Sequence, residues 1–211
     1  MVDVAFVTTN PGKFREAQAI LRPYGVRLRW LRQTLLEPQS DDLAAVARWK
    51  AASVRGVRGY VLVEDSGLFV RSLHDFPGVY SAHVLRIWGF PPLLELLRRR
   101  SRAAVFRSAA ALRHGRTIRV FTGEVAGRVA RSASGRHGFG YDPIFVPRGF
   151  RTTFGDLPAG VKNSLSHRSR SMAQVGAYLA ARGGRGGRPV RRRRPAARSP
   201  RRARAVIPRR A

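Results

Sequence analysis

"VDVAFVTTNPGKFREAQAIL", residues 2–21, changes its periodicity halfway. Residues 2–9 form an apolar run of strand type, whereas Phe14, Ala17, Ile20 and Leu21 recur at helical spacing until Pro23 and Gly25 stop the helix. The chain therefore opens strand, loop, helix. The connecting TTNPGK (8–13) delivers its residues to a helix N-terminus, where free backbone N–H groups and the helix dipole favour a bound phosphate, and Lys13 adds a mobile positive charge. It is not a Walker A loop, because no glycine stands five residues before Gly12 and Phe14 occupies the place of the magnesium-binding hydroxyl. Read alone, Asn-Pro-Gly is a turn followed by a solvated lysine.

Outward from this unit the alternation continues. VRLRWL (26–31) alternates like a half-buried strand, and SDDLAAVARWKAASV (40–54) is a helix with Ser40 or Asp41 as N-cap and acids in its first turn. YVLVED (60–65) is a buried strand expected to end at its two carboxylates, with Ser66 and Gly67 turning the chain. FPPLLELLRRR (90–100) is a short amphipathic helix with proline near its start and arginines at its end. AAVFRSAAALRH (103–114) and TIRVFTGEVAGRVA (117–130) are strands joined by a hairpin turn around HGR. DPIFV (142–146) is a short strand, and SHRSRSMAQVGAYLAAR (166–182) is a closing helix with Ser164 or Ser166 available as its cap. The mixture predicts an α/β domain whose sheet has both parallel and antiparallel pairs.

The formal charge of +29 raises the question of nucleic acid, which turns on where the charge lies. Residues 182–211 hold 13 arginines, no acid and no aromatic side chain, a composition that cannot bury a core and is expected to be disordered. Taking those 13 from the 41 basic residues leaves 28 against 12 acids, a net +16 for the domain expected over residues 1–181. Of all 41, only Lys13, Lys50 and Lys162 are lysine. The chain contains no cysteine, which excludes disulfides, thiolate metal sites and cysteine nucleophiles. No apolar run is long enough to span a bilayer, and the N-terminus does not read as a signal peptide, so the expected setting is the cytoplasm, without membrane.

Chemistry concentrates in the connections. Glu64 and Asp65, with Glu37 in LLEPQSDD, are hard oxygen donors of the type that suits magnesium. GRHGFGYDPIF (135–145) packs three glycines, Phe139, Tyr141 and Asp142 into one turn; glycines let a ligand approach the backbone, an aromatic ring offers a flat face and Asp142 accepts hydrogen bonds. KNSLSHR (162–168) gathers Lys162, His167 and Arg168 at the entry of the last helix.

In this order, TTNPGK, LEPQ, VEDSGLFV, FPGVYSA, GFGYDPIF and KNSLSHR closely resemble the inosine triphosphate pyrophosphatase family, with VEDSGLFV and FPGVYSA nearest to its archaeal branch. The resemblance spans residues 3 to about 181. It implies a long, twisted mixed sheet with flanking helices, in two lobes around a nucleotide cleft, and a homodimer. It implies magnesium-dependent hydrolysis of ITP, dITP or XTP to the monophosphate and pyrophosphate, with one or more magnesium ions per subunit. By similarity, Thr8, Thr9, Asn10, Pro11, Gly12 and Lys13 form the phosphate loop; Glu37 and Asp65 bind metal, with Glu64 as a further candidate; and Asp65 is the base that activates water. Ser66 and Lys50 contact substrate, Phe139, Gly140, Tyr141 and Asp142 form the nucleobase pocket, and Lys162, His167 and Arg168 hold the rest of the nucleotide. All three lysines thus fall on motif positions, where a compact point charge serves better than a planar fork.

Two features depart from the family pattern. His83 follows PGVYSA where relatives carry an arginine or lysine, and DLPAGVKN lacks the acids that commonly precede the lysine. The arginine tail lies outside the pattern and supports a rival reading: a non-catalytic relative that binds nucleotide or nucleic acid, the tail holding polyanions without sequence preference.

Overall fold

The computed structural model describes residues 1–183. A six-stranded sheet in the order β2-β1-β3-β4-β5-β6 forms its centre. β1 (Val2–Val7) pairs in parallel with β2 (Val26–Leu31) on one side and with β3 (Tyr60–Val70) on the other. β3, β4 (Ala103–His114), β5 (Thr117–Val129) and the short β6 (Phe145–Pro147) follow antiparallel. The expected mixed α/β architecture is therefore present, and β2, β4 and β5 follow the sequence pattern almost residue for residue.

α1 (Pro11–Leu21) takes the chain from β1 to β2, and α2 (Leu43–Ser53) returns it past β1 to β3. The first crossover runs from β1 out to β2 and the second runs back across β1 to β3, so the winding direction reverses beside β1, a topological switch point of the kind where open α/β sheets bind ligands. Side-chain parity shows the two layers. Leu62, with Val4 and Phe6, packs beneath α1 and α6 (His167–Gly183), while Val61 and Val63 pack beneath α2 with Ala109 and Ala111. A third core cluster fills the far end of the long β3–β4–β5 ribbon, where Leu68, Phe106, Val125, Phe145 and Phe154 meet. This gives the second lobe. Among the described residues no helix is long and apolar enough to cross a membrane.

Several expectations are corrected. β3 does not end at Glu64 and Asp65; it runs on through Ser66 and Gly67 to Val70, because β4 pairs with it along its whole length. A polar Glu-Asp-Ser-Gly stretch reads locally as a turn, yet a continuous ladder of partners keeps it extended. α2 is capped by Asp42, whose Oδ1 accepts the Ala44 N–H at 2.8 Å, in place of Ser40 or Asp41, and it has no acid in its first turn. The 90–100 helix is shorter, α4 (Pro91–Leu96), and DPIFV begins with a 3-10 turn, Asp142–Ile144, before β6. Two helices were not anticipated: α3 (Ser81–Trp88) and α5 (Ala159–Leu165). Of the two caps offered for α6, Ser166 is the one used, its Oγ accepting the Ser169 N–H at 3.1 Å. The tail expected to be disordered from residue 182 is corrected at its start, where Arg182 and Gly183 continue α6; its remainder, 184–211, lies outside the described residues.

Candidate active site

Asn10 starts the site. Its Oδ1 accepts the N–H groups of Gly12 (2.8 Å) and Lys13 (3.1 Å), which makes it the N-cap of α1. Its own N–H donates to Thr8 Oγ1 at 3.1 Å, and Trp30 Nε1 donates to the Thr8 carbonyl at 2.8 Å. The loop is thus braced before any ligand arrives. A Cβ on Gly12 would lie 2.3 Å from the Phe139 ring, so glycine here is what allows the loop 135–145 to close on the helix start.

From this loop runs an unbroken chain of opposite charges. Asp142 meets Lys162 Nζ, which reaches Glu16 at 2.6 Å; Glu16 takes Arg168 at 2.7 Å, and Arg168 takes Glu64 at 3.1 Å. Glu64 holds Lys13 Nζ at 3.0 Å, Lys13 lies 3.8 Å from Asp65, and Asp65 shares Lys50 Nζ (3.4 Å) with Glu37 (2.7 Å). All three lysines of the protein are in it. Strand parity explains the order: Glu64 follows Leu62 onto the α1–α6 face and Asp65 follows Val63 onto the α2 face. Lys13 reaches both because β1 pairs with β3 only as far as Leu62, which leaves the edge of β3 open at the two carboxylates.

Burial and neighbours set the protonation states. Burial works against ionised Glu64, but Arg168 and Lys13 outweigh it and hold the carboxyl well below the usual range. Glu16 is likewise lowered, because Arg168 and Lys162 overcome its desolvation. Asp65 and Asp142 are raised by burial, against the opposing charges of Lys13 and Lys50 and of Lys162 respectively. Burial also disfavours a charged Lys50, yet Asp65 and Glu37 raise it. His167 is enclosed, and burial with the adjacent Arg168 keeps it neutral; its ring stacks on Phe106 at 4.5 Å.

Beside this network lies a cavity of about 300 Å³ between the lobes. Asn10, Lys13 and Ser66 line it from one lobe, and Phe106, Phe139, Gly140, Tyr141 and Asp142 from the other, with His167 and Arg168 between. Lys162 and Arg168 bring positive charge to 5.0 and 5.1 Å from the Phe139 ring centroid. The Phe139 N–H donates to Asp142 Oδ2 at 2.6 Å, which folds the glycine-rich turn. Of the four buried side-chain polar atoms without a hydrogen-bond partner among the described residues, three, Tyr141 Oη, His167 Nδ1 and Arg168 Nε, belong to side chains that line this cavity. Most of the expected residues are therefore brought together. Thr8, Thr9, Pro11 and Gly12 shape the loop without lining the cavity, while Glu37, Lys50 and Asp65 are joined to it through Lys13.

The sequence reading missed Glu16, which couples Lys162 to Arg168, and Leu85 and Arg86 of α3, which line the cavity. Glu16 had one local signal: it follows Gly12 and Lys13 at i+4 and i+3, on the same helix face. It also missed Ser108, whose Oγ donates to Glu64 Oε1 at 2.8 Å.

A metal would have a defined place. Among the described residues no three His, Asp or Glu side chains cluster closely enough to form a dedicated cage. Magnesium needs none, since it binds one or two carboxylates together with substrate phosphates and water. Glu37 and Asp65 fit, because both already converge on the Lys50 ammonium, a stand-in cation. Glu64 does not fit as a ligand: it has no exposed side-chain surface, and Ser108, Arg168 and Lys13 occupy its oxygens.

A sheet with its switch point at a strand-to-helix loop, a chain of alternating charges beside it and an aromatic pocket facing it define an α/β protein built around a cleft with charged and aromatic walls. Comparison with known proteins narrows this. The model of the Ham1 family matches residues 4–178, and the chain belongs to that family. It is 42% identical over 178 residues to the dITP/XTP pyrophosphatase of Thermococcus kodakarensis, covering 83% of this chain and 96% of that protein. The dITP/XTP pyrophosphatase of Pyrobaculum aerophilum is 40% identical, with coverages of 83% and 95%. Among solved structures, a HAM1 protein from Coxiella burnetii superposes with a TM-score of 0.75 at 26% identity, covering 86% of this chain and all of that one. The nucleoside-triphosphatase and dITP/XTP pyrophosphatase from Mycobacterium abscessus gives 0.62 at 31% identity, covering 85% and 96%. The resemblance drawn from the six motifs therefore holds, its archaeal character included.

Proposed function

We propose that this chain hydrolyses non-standard purine nucleoside triphosphates, ITP, dITP and XTP, to the monophosphate and pyrophosphate, and so cleanses the nucleotide pool of the cytoplasm as a homodimer. The observation that supports this most is the joining of three parts in one cleft: the capped loop at the switch point, the aromatic turn 139–142 and the carboxylates Glu37 and Asp65 beside Lys13. The relatives' names, dITP/XTP pyrophosphatase, agree with it.

In this reading the purine enters the cavity against Phe139 and Tyr141, and the triphosphate, with about four negative charges, runs toward Lys13 and Lys50. Water attacks the α-phosphorus; the bond from that phosphorus to the bridging oxygen breaks, and pyrophosphate departs. Asp65 takes the proton of the water. Its carboxyl, raised by burial, is a stronger base than an ordinary aspartate. Magnesium held by Glu37 and Asp65 would neutralise charge on the phosphoryl oxygens and the leaving group. Glu64, held ionised, keeps Lys13 and Arg168 in place. Selection of a 6-oxo purine rests on donors near the pocket, Lys162 and Arg168, since an exocyclic amine facing them would leave buried donors unpaired.

The test is pyrophosphate release with magnesium, at mildly alkaline pH, from ITP, XTP, dITP, ATP and GTP. Strong preference for ITP and XTP is expected, with Asp65→Asn lowering kcat by about 10²–10⁴-fold. Folded protein inactive on every nucleotide would return the chain to the rival reading of a non-catalytic binder.

A further inference from the structure

Arg86 differs from every other charged side chain lining the cavity. Lys13 is held by Glu64 and Asp65, Arg168 by Glu16 and Glu64, and Asp142 by Lys162. Arg86, on the exposed face of α3, has no carboxylate within salt-bridge distance among the described residues. Its one hydrogen-bonded side-chain neighbour is His83, whose Nδ1 lies 3.2 Å from the guanidinium; as an acceptor that nitrogen brings no negative charge.

The charge balance of the cleft gives this meaning. The network sets the acids Asp142, Glu16, Glu64, Asp65 and Glu37 against the cations Lys162, Arg168, Lys13 and Lys50, so the acids exceed the cations by one. Its cations are already committed to protein carboxylates, and a polyphosphate entering the cleft meets repulsion as well as attraction. Of the cations that line the cavity, Arg86 is the one left uncommitted among the described residues. Its place on the molecule also separates phosphate from base. The polar groups fit for a purine, Tyr141, Asp142 and His167, are buried, whereas Arg86 is exposed at the rim, where a charged group that stays partly hydrated belongs.

We propose that Arg86 is a further substrate-binding residue, which grips the polyphosphate of the bound nucleotide from the α3 side of the cleft. The inference rests on the nucleotide-hydrolysing reading above. A guanidinium fork matches paired phosphate oxygens, so lysine is an incomplete substitute. His83, which the sequence reading marked as a departure, orients this arginine from one turn earlier on the same helix and so keeps a basic contact at the position.

The experiment compares full-length wild type, Arg86→Ala and Arg86→Lys in ITP hydrolysis, with tripolyphosphate and inosine as competing inhibitors. Arg86→Ala is expected to raise KM for ITP and the inhibition constant of tripolyphosphate by about tenfold each. The inhibition constant of inosine, which has the base and no phosphate, should stay unchanged, and Arg86→Lys should recover part of the loss. Melting of the variants should match wild type, because the side chain is exposed. Active wild type with an Arg86→Ala variant equal to it would overturn this inference alone, and a shift in inosine inhibition would reassign Arg86 to the base. Wild type without turnover would overturn the proposed function and this inference with it.

Discussion

Lys162 is almost fully buried, with its ammonium between Glu16 and Asp142. A planar fork has no room there, so retention of charge should not rescue a larger side chain. Lys162→Arg is expected to destabilise the protein by about 1–3 kcal/mol through overpacking, read from urea unfolding. Glu16 permits a pH test. Its carboxyl is lowered in the folded state, so its stabilisation is complete above the unfolded value near 4.3 and is lost as pH falls through the folded one. Glu16→Gln should cost about 1–3 kcal/mol at neutral pH, since Lys162 and Arg168 each keep one other acid. That gap should narrow below about pH 4; a gap independent of pH would mean that Glu16 acts by shape and not by charge.

At the scale of elements, β3 decides the site. Its uninterrupted pairing with β4 sends Glu64 and Asp65 to opposite faces, and only the early end of β1 lets one lysine touch both. Gly67 holds this strand against the 3-10 turn Gly78–Tyr80, where an added Cβ would lie 2.0 Å from the Gly78 carbonyl oxygen. Backbone cannot swing aside as a side chain can. Gly67→Ala is expected to cost about 3 kcal/mol or more, measured by chemical denaturation. Gly12→Ala meets the Phe139 ring instead, so its main effect should be a raised KM for ITP. On the opposite side, the open edge of β5 has two of its carbonyls covered: Arg48 donates to Ile118 at 3.3 Å and Gln174 to Thr122 at 2.6 Å. Such cover guards an edge against pairing with another chain.

For the whole molecule, the charge divides by region. Five of the twelve acids, Glu16, Glu37, Glu64, Asp65 and Asp142, are drawn into the cleft network, while much of the arginine of residues 1–183 stays at the surface; residues beyond Gly183 contribute arginine without acid. A chain ending at Gly183 should keep its melting temperature and ITP hydrolysis and lose affinity for single-stranded nucleic acid together with most of its salt dependence. Loss of hydrolysis in that chain would make the terminal segment part of the enzyme.

The sequence by itself determined the opening strand–loop–helix unit, the hairpin of β4 and β5, the closing helix and the six motifs, because strand and helix periodicity and turn chemistry are local. It placed the lysines on those motifs. Locally, however, Glu-Asp-Ser-Gly reads as a turn, and the short α3 and α5 start without a side-chain cap to mark them. Tertiary structure alone decided that the polar stretch stays in a strand, that Glu16 joins Lys162 and Arg168, and that Arg86 has no carboxylate partner among the described residues. Lys162 and Arg168 stand 146 and 152 positions from Glu16. Pairing across such separations is fixed by which helix covers which face of the sheet, and no local pattern of residues encodes it.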